Sequence, residues 1–147
     1  MRYMGNETFF FNVGDEAGAK GESLPASDCD SLWLLDDDVS MLKALGRLVS
    51  SAGYIVKKFS DPEDFFARLK HAKCQVAILD VWMPQMNGLE VQARLRRDSP
   101  ETRIIFLTGR DDPSVRRTAL DSGAFAFLTK PFRDETFLEL VKNAFLN

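Results

Sequence analysis

The chain has 147 residues, with 19 lysines and arginines against 22 aspartates and glutamates, a formal charge of −3; 45% of it is hydrophobic and 28% charged. That length suits one domain with some residues to spare, and the apolar content excludes global disorder as well as collagenous and low-complexity classes. The slight acidic excess leaves no broad basic surface, so no direct nucleic-acid contact is expected.

Cys29 and Cys74 have neither a metal-ligand spacing nor the pattern of a disulfide framework, which points to reduced thiols and a cytoplasmic protein; Cys74 is expected at the edge of the core. No run approaches the roughly 18 apolar residues of a membrane span, and the start lacks a basic stretch followed by a long apolar one, so no membrane contact is expected. Residues 1–30 hold four of the nine glycines (Gly5, Gly14, Gly18 and Gly21) among polar residues without helix or strand period, and are expected to form a flexible extension. Its apolar cluster, Phe9, Phe10 and Phe11, either docks on a partner or folds back on the domain, with a disordered or locally packed extension as the expectation.

From Leu32 onward, short apolar runs alternate with amphipathic stretches, the pattern of consecutive βαβ units around a parallel sheet buried on both faces. Residues 32–35 are an apolar strand, and 39–52 a helix with Met41, Leu42, Leu45, Leu48 and Val49 on one stripe, closed by Gly53. A second strand spans 55–59, and Ser60, Asp61 and Pro62 start a helix through about residue 69. The third strand, 76–79, leads through a loop with Pro84 and Gly88 to a helix over 89–97, which ends before Ser99-Pro100. Residues 104–107 make a fourth strand, and Asp112-Pro113 caps a helix that Gly123 ends. A fifth strand at 125–128 and a last amphipathic helix at 136–145 complete five rounds. The expected fold is α/β, a flavodoxin-like doubly wound sheet of five parallel strands in the order 2-1-3-4-5, occupying residues 31–147 with no effector domain after it.

Ligands of open α/β sheets bind outside the carboxyl ends of the strands. There the first strand delivers Asp36, Asp37 and Asp38, the third Asp80, the fourth Thr108, and the fifth Lys130 followed by Pro131. Carboxylates about 4 Å apart repel by roughly 4 kcal/mol per pair at an effective dielectric near 20, so the cluster calls for a cation. Mg²⁺ answers with oxygen ligands and an open position for a phosphoryl group, Lys130 adds a second positive charge, and Thr108 offers a hydroxyl donor. Together these amount to phosphoryl chemistry on an aspartate.

The segments LWLLDDDVSML, VAILDVWMPQMNGLE, IIFLTG and GAFAFLTKPF occur in the order found in receiver (CheY-like) domains of bacterial two-component response regulators, and residues 32–147 resemble that family. The resemblance implies that Asp80 is the phosphoacceptor, that Asp36, Asp37 and Asp80 hold Mg²⁺ with help from the Trp82 carbonyl, and that Thr108, Phe127 and Lys130 carry the signal. It implies a phosphodonor, either a sensor histidine kinase or a histidine phosphotransfer protein, and a downstream protein target. It also implies an output face made by helix four, strand five and helix five that can serve a homodimer. The Mg²⁺ site would catalyse transfer onto itself and later hydrolysis, so a stand-alone enzyme is not expected.

Each residue also has a plainer use. Asp38 is read as the N-cap of the first helix; Thr108 alone is an ordinary strand residue, Phe127 alone is core, and His71 sits in a polar helix end with no phosphorelay role. A cis peptide is expected at Lys130-Pro131, since X-Pro bonds tolerate it. Trp82 and Arg110 both stand at the mouth of the site and are expected to slow loss of the phosphoryl group. The main alternative is a receiver-fold interaction module that works without phosphorylation, against which the full set of Asp36, Asp37, Asp80, Thr108 and Lys130 argues. An aspartate-nucleophile phosphohydrolase would need an acid where Trp82 stands, and no glycine-rich turn follows the first strand for a dinucleotide.

Overall fold

In the computed structural model, residues 9–11 and 31–146 are described. The apolar runs become strands and the amphipathic stretches helices in the anticipated alternation: β1 (Phe9–Phe11), β2 (Ser31–Leu35), α1 (Val39–Ser51), β3 (Ile55–Phe59), α2 (Pro62–Leu69), β4 (Val76–Leu79), α3 (Gly88–Asp98), β5 (Arg103–Thr108), α4 (Pro113–Asp121), β6 (Ala126–Thr129) and α5 (Asp134–Leu146). The sheet runs β1-β6-β5-β4-β2-β3. Its five parallel strands, counted from Ser31, follow the expected 2-1-3-4-5 order. β1 is the addition: it pairs antiparallel with β6, Phe9 opposite Leu128, Phe10 opposite Phe127 and Phe11 opposite Ala126. The rest of the expected extension, residues 1–8 and 12–30 with Cys29, lies outside the described residues.

Local chemistry sets the helix ends. Asp38 accepts from the Ser40 and Met41 amides, Asp61 from Glu63, and Asp112 from Ser114 and Val115, with proline opening α2 and α4. Asn87 and Glu90 form a reciprocal capping box that starts α3 at Gly88, one residue before the periodic pattern begins. Gly53 and Gly123, at φ of +98° and +100°, end α1 and α4 where a side chain would be strained.

Two apolar layers sandwich the sheet. Leu42, Leu45 and Val49 of α1 and Phe137, Leu140 and Val141 of α5 pack on one face. Phe65 and Phe66 of α2, Val91 and Leu95 of α3, and Ala119 and Leu120 of α4 cover the other. Cys74, expected at the edge of the core, is a free thiol buried within this second layer, and burial pushes its pKa up. The carboxyl ends of the parallel strands are the margin that carries Asp36, Asp80, Thr108 and Lys130. No described helix is long and apolar enough to cross a membrane.

Candidate functional site

β2, β4, β5 and β6 end side by side, so the residue following each strand meets its neighbours without any long connection. The Asp36 amide donates to the Phe59 carbonyl at 3.1 Å and the Asp80 amide to the Leu35 carbonyl at 3.0 Å, which keeps both aspartates in the ladder at their strand ends. One carboxylate oxygen each from Asp36, Asp37 and Asp80 lies within 4.8 Å of the others, the only cluster of this kind among the described residues.

The three differ in environment. Asp36 is nearly buried, and burial raises its pKa against the opposing pull of the Asp38 amide and Lys130. Its Oδ1 accepts the Asp38 amide at 2.9 Å and its Oδ2 lies 3.5 Å from Lys130 Nζ. Asp38 is thus the helix cap expected of it and also a clamp on Asp36. Asp37 is exposed. Asp80 is half-buried; burial, then the Asp36 charge, push its pKa up to about 6, although the Trp82 backbone amide donates to it. A carboxyl group held near 6 is mostly ionised at neutral pH, and its charge is poorly solvated and can be offset by a cation.

Lys130 reaches this cluster from β6, its amide bonded to the Thr108 carbonyl at 2.8 Å and its peptide to Pro131 cis, as expected. Thr108 is fully buried, and its hydroxyl is engaged within its own loop: Oγ1 donates to the Arg110 carbonyl at 3.1 Å and accepts the Arg110 amide at 3.2 Å. The same carbonyl accepts Trp82 Nε1 at 3.3 Å, and the Arg110 guanidinium lies 4.4 Å from the Trp82 ring centre. Phe127 is buried, its ring centre 5.9 Å from that of Phe106. Asp36, Asp37, Asp80 and Lys130 therefore converge directly, whereas Thr108 and Phe127 stand one step behind. His71 lies exposed beyond the end of α2.

Two features escaped the sequence. A Cβ on Gly88 would lie 2.5 Å from the Asp80 carbonyl oxygen and 2.9 Å from Val81 Cα, so glycine lets α3 start directly behind Asp80. The bridge between Trp82 and Arg110 is the other, although both residues were placed at the mouth. Beside Lys130 an open groove of about 570 Å³ runs between Met41, Leu45 and Leu48 of α1 and Pro131 and Phe132 of the loop before α5.

Comparison with known proteins agrees with this geometry. Residues 32–142 match the response regulator receiver domain family. The response regulator protein TodT of Pseudomonas putida is 40% identical over 113 residues, covering 77% of this chain and 50% of TodT. The transcriptional regulatory protein FixJ of Bradyrhizobium diazoefficiens is 31% identical over 113 residues, covering 77% of this chain and 55% of FixJ. The chain thus spans about half the length of these curated relatives. Among solved structures, the beryllofluoride-activated NtrC4 receiver domain dimer superposes with a TM-score of 0.75 at 29% identity, over 79% of this chain and 96% of that one. A CheY-like receiver domain protein from Methanospirillum hungatei superposes with a TM-score of 0.75 at 23% identity, over 79% and 93% of the two chains. A carboxylate cluster at the strand ends, a lysine beside it and this match over most of the length agree: the chain belongs to the response regulator receiver domain family of two-component systems.

Proposed function

We propose that the chain accepts a phosphoryl group on Asp80 and acts as a phosphorylation switch. The observation that carries this is Asp80 itself, half-buried with its pKa pushed up to about 6, within reach of two further carboxylates and on the margin where Lys130 arrives. Such a donor set fits a hard divalent cation, and Asp36, Asp37, Asp80 and the Trp82 carbonyl are the groups that would hold Mg²⁺. When bound, the cation offsets negative charge on the incoming phosphoryl oxygens.

The protein's own residues do the rest. An Asp80 carboxylate oxygen attacks phosphorus as the P–N bond of a donor phosphohistidine breaks, and the departing imidazole nitrogen keeps the electron pair and takes up a proton. Lys130 balances charge on the acyl phosphate. The Thr108 hydroxyl leaves the Arg110 carbonyl and donates to a phosphoryl oxygen, and Phe127 repacks with it, passing the change to the face formed by α4, β6 and α5. Water attack at phosphorus later releases inorganic phosphate and restores the Asp80 carboxylate, so the chain resets itself and is no stand-alone enzyme.

In this reading residues 31–147 are the switch and 1–30 an extension, in a cytoplasmic protein. The donor is a sensor histidine kinase or a histidine phosphotransfer protein, and the apolar lining of the groove beside Lys130 supports a docking helix there. A downstream protein target, or a second copy, engages the α4–β6–α5 face. The test is labelling with acetyl phosphate and Mg²⁺ followed by intact mass: wild type gains one phosphoryl group, and Asp80→Asn loses labelling at least about 100-fold. Equal labelling of the variant overturns the assignment.

A further inference from the structure

The two edges of the parallel sheet are finished differently. β3 carries Lys57 and Lys58 among its five residues, and charge on an edge strand discourages another strand from pairing there. β6 reads Ala-Phe-Leu-Thr, with no charge and no proline, and its first three residues are buried. Left open, such an edge is a row of unpaired amides and carbonyls that invites a strand from another molecule. β1 occupies that row along three of its four residues. With only three residues of its own, β1 is a poor template for further pairing.

Connection does not oppose pairing within one chain. β1 and β2 stand four strand spacings apart in the sheet, roughly 19 Å at about 4.8 Å each, and the 19 residues from 12 to 30 span up to about 60 Å when extended. We propose that Phe9–Phe11 is an intramolecular guard strand: it occupies the β6 edge so that a second copy of this chain cannot, and self-association through β6 begins when the guard is displaced. This deepens the reading of the α4–β6–α5 face as a surface for a second copy, and it does not depend on Asp80.

The test uses the full chain, Phe10→Pro, and the double variant F9P/F11P, which between them remove every amide that β1 can donate. Residue-resolved hydrogen exchange reads Ala126–Thr129, and sedimentation velocity over a concentration series reads association. Wild type is expected to be a monomer with all β6 amides protected. In the variants the alternate amides that face away from β5 exchange at least about tenfold faster, and the chain dimerises as concentration rises. A peptide of residues 7–13 added in trans restores protection and suppresses the dimer. Unchanged β6 exchange in both variants overturns the proposal, as does faster exchange with no association. A wild-type dimer that the variants dissolve also overturns it, because the strand then comes from the partner copy. Should the variants fail to fold, fast exchange of those amides in wild type overturns it and their protection together with peptide-insensitive monomers upholds it. None of these outcomes alters Asp80 labelling, so the guard and the phosphoacceptor stand or fall separately.

Discussion

The acidic half of the site and the hydroxyl half are built to different tolerances. Asp36 and Asp80 follow strands that are buried on both faces, are tied by backbone hydrogen bonds to neighbouring strands, and are backed by the Asp38 cap and by Gly88. Thr108 is buried as well, but its hydroxyl and the Trp82 indole share one carbonyl in the exposed Gly109–Arg110 loop, and α4 beyond it buries only Ala119 and Leu120 near its carboxyl end. The acids at the ends of β2 and β4 are therefore held by more of the core than the hydroxyl loop and the first turns of α4, which bury little. This asymmetry suits the proposed switch, in which a group is received at one end of the site and reported at the other.

Breaking the acidic half has the largest effect. Gly88→Ala places a methyl group against backbone that cannot yield, and is expected to cost about 3 kcal/mol, read as a lower denaturation midpoint at unchanged slope. A smaller effect of opposite sign comes from Asp80. Its folded pKa of about 6 lies above the ordinary 3.8, so between the two the folded chain binds more protons than the unfolded one. Without a cation the ionised group therefore lowers stability, fully so above about pH 6 and not at all below about pH 4. With chelator present, Asp80→Asn is expected to raise Tm at about pH 7.5 by roughly 4 °C, on the order of 1 kcal/mol after discounting for solvent screening at a half-exposed site. The gain shrinks as pH falls through 6. Apparent Mg²⁺ affinity of wild type, followed by calorimetry, falls over the same range as protons compete for Asp80.

The hydroxyl half responds most gently. Trp82→Ala removes both contacts of the bridge at the mouth and Arg110→Ala the guanidinium on the ring, and both are expected to hasten loss of the phosphoryl group about threefold, measured as decay of the labelled intact mass. Unchanged decay in both variants would mean that the bridge shapes the loop without shielding the acceptor.

The layered fold was legible because burial on both faces leaves uninterrupted apolar runs such as 76–79, and because Asp61-Pro62 and Asp112-Pro113 announce helix starts by local hydrogen bonding. The acidic cluster was legible because residues ending adjacent parallel strands must be neighbours. Gly88 behind Asp80 and the Trp82–Arg110 contact were not, since both depend on distances across the fold that leave no local period. The pairing of Phe9–Phe11 with β6 joins segments more than 100 residues apart, and three consecutive phenylalanines carry no register of their own.

The chain has two tryptophans, and their placement gives it a built-in optical gauge. Trp33 is sealed in the core with ring centres of Phe59 and Phe65 at 5.2 and 5.3 Å, so its emission reports only whether the protein is folded. Trp82 donates to the carbonyl that the Thr108 hydroxyl uses and lies against a guanidinium at the mouth. Changes of emission that vanish in Trp82→Phe therefore time the loop, unlabelled and in real time, against a constant internal standard.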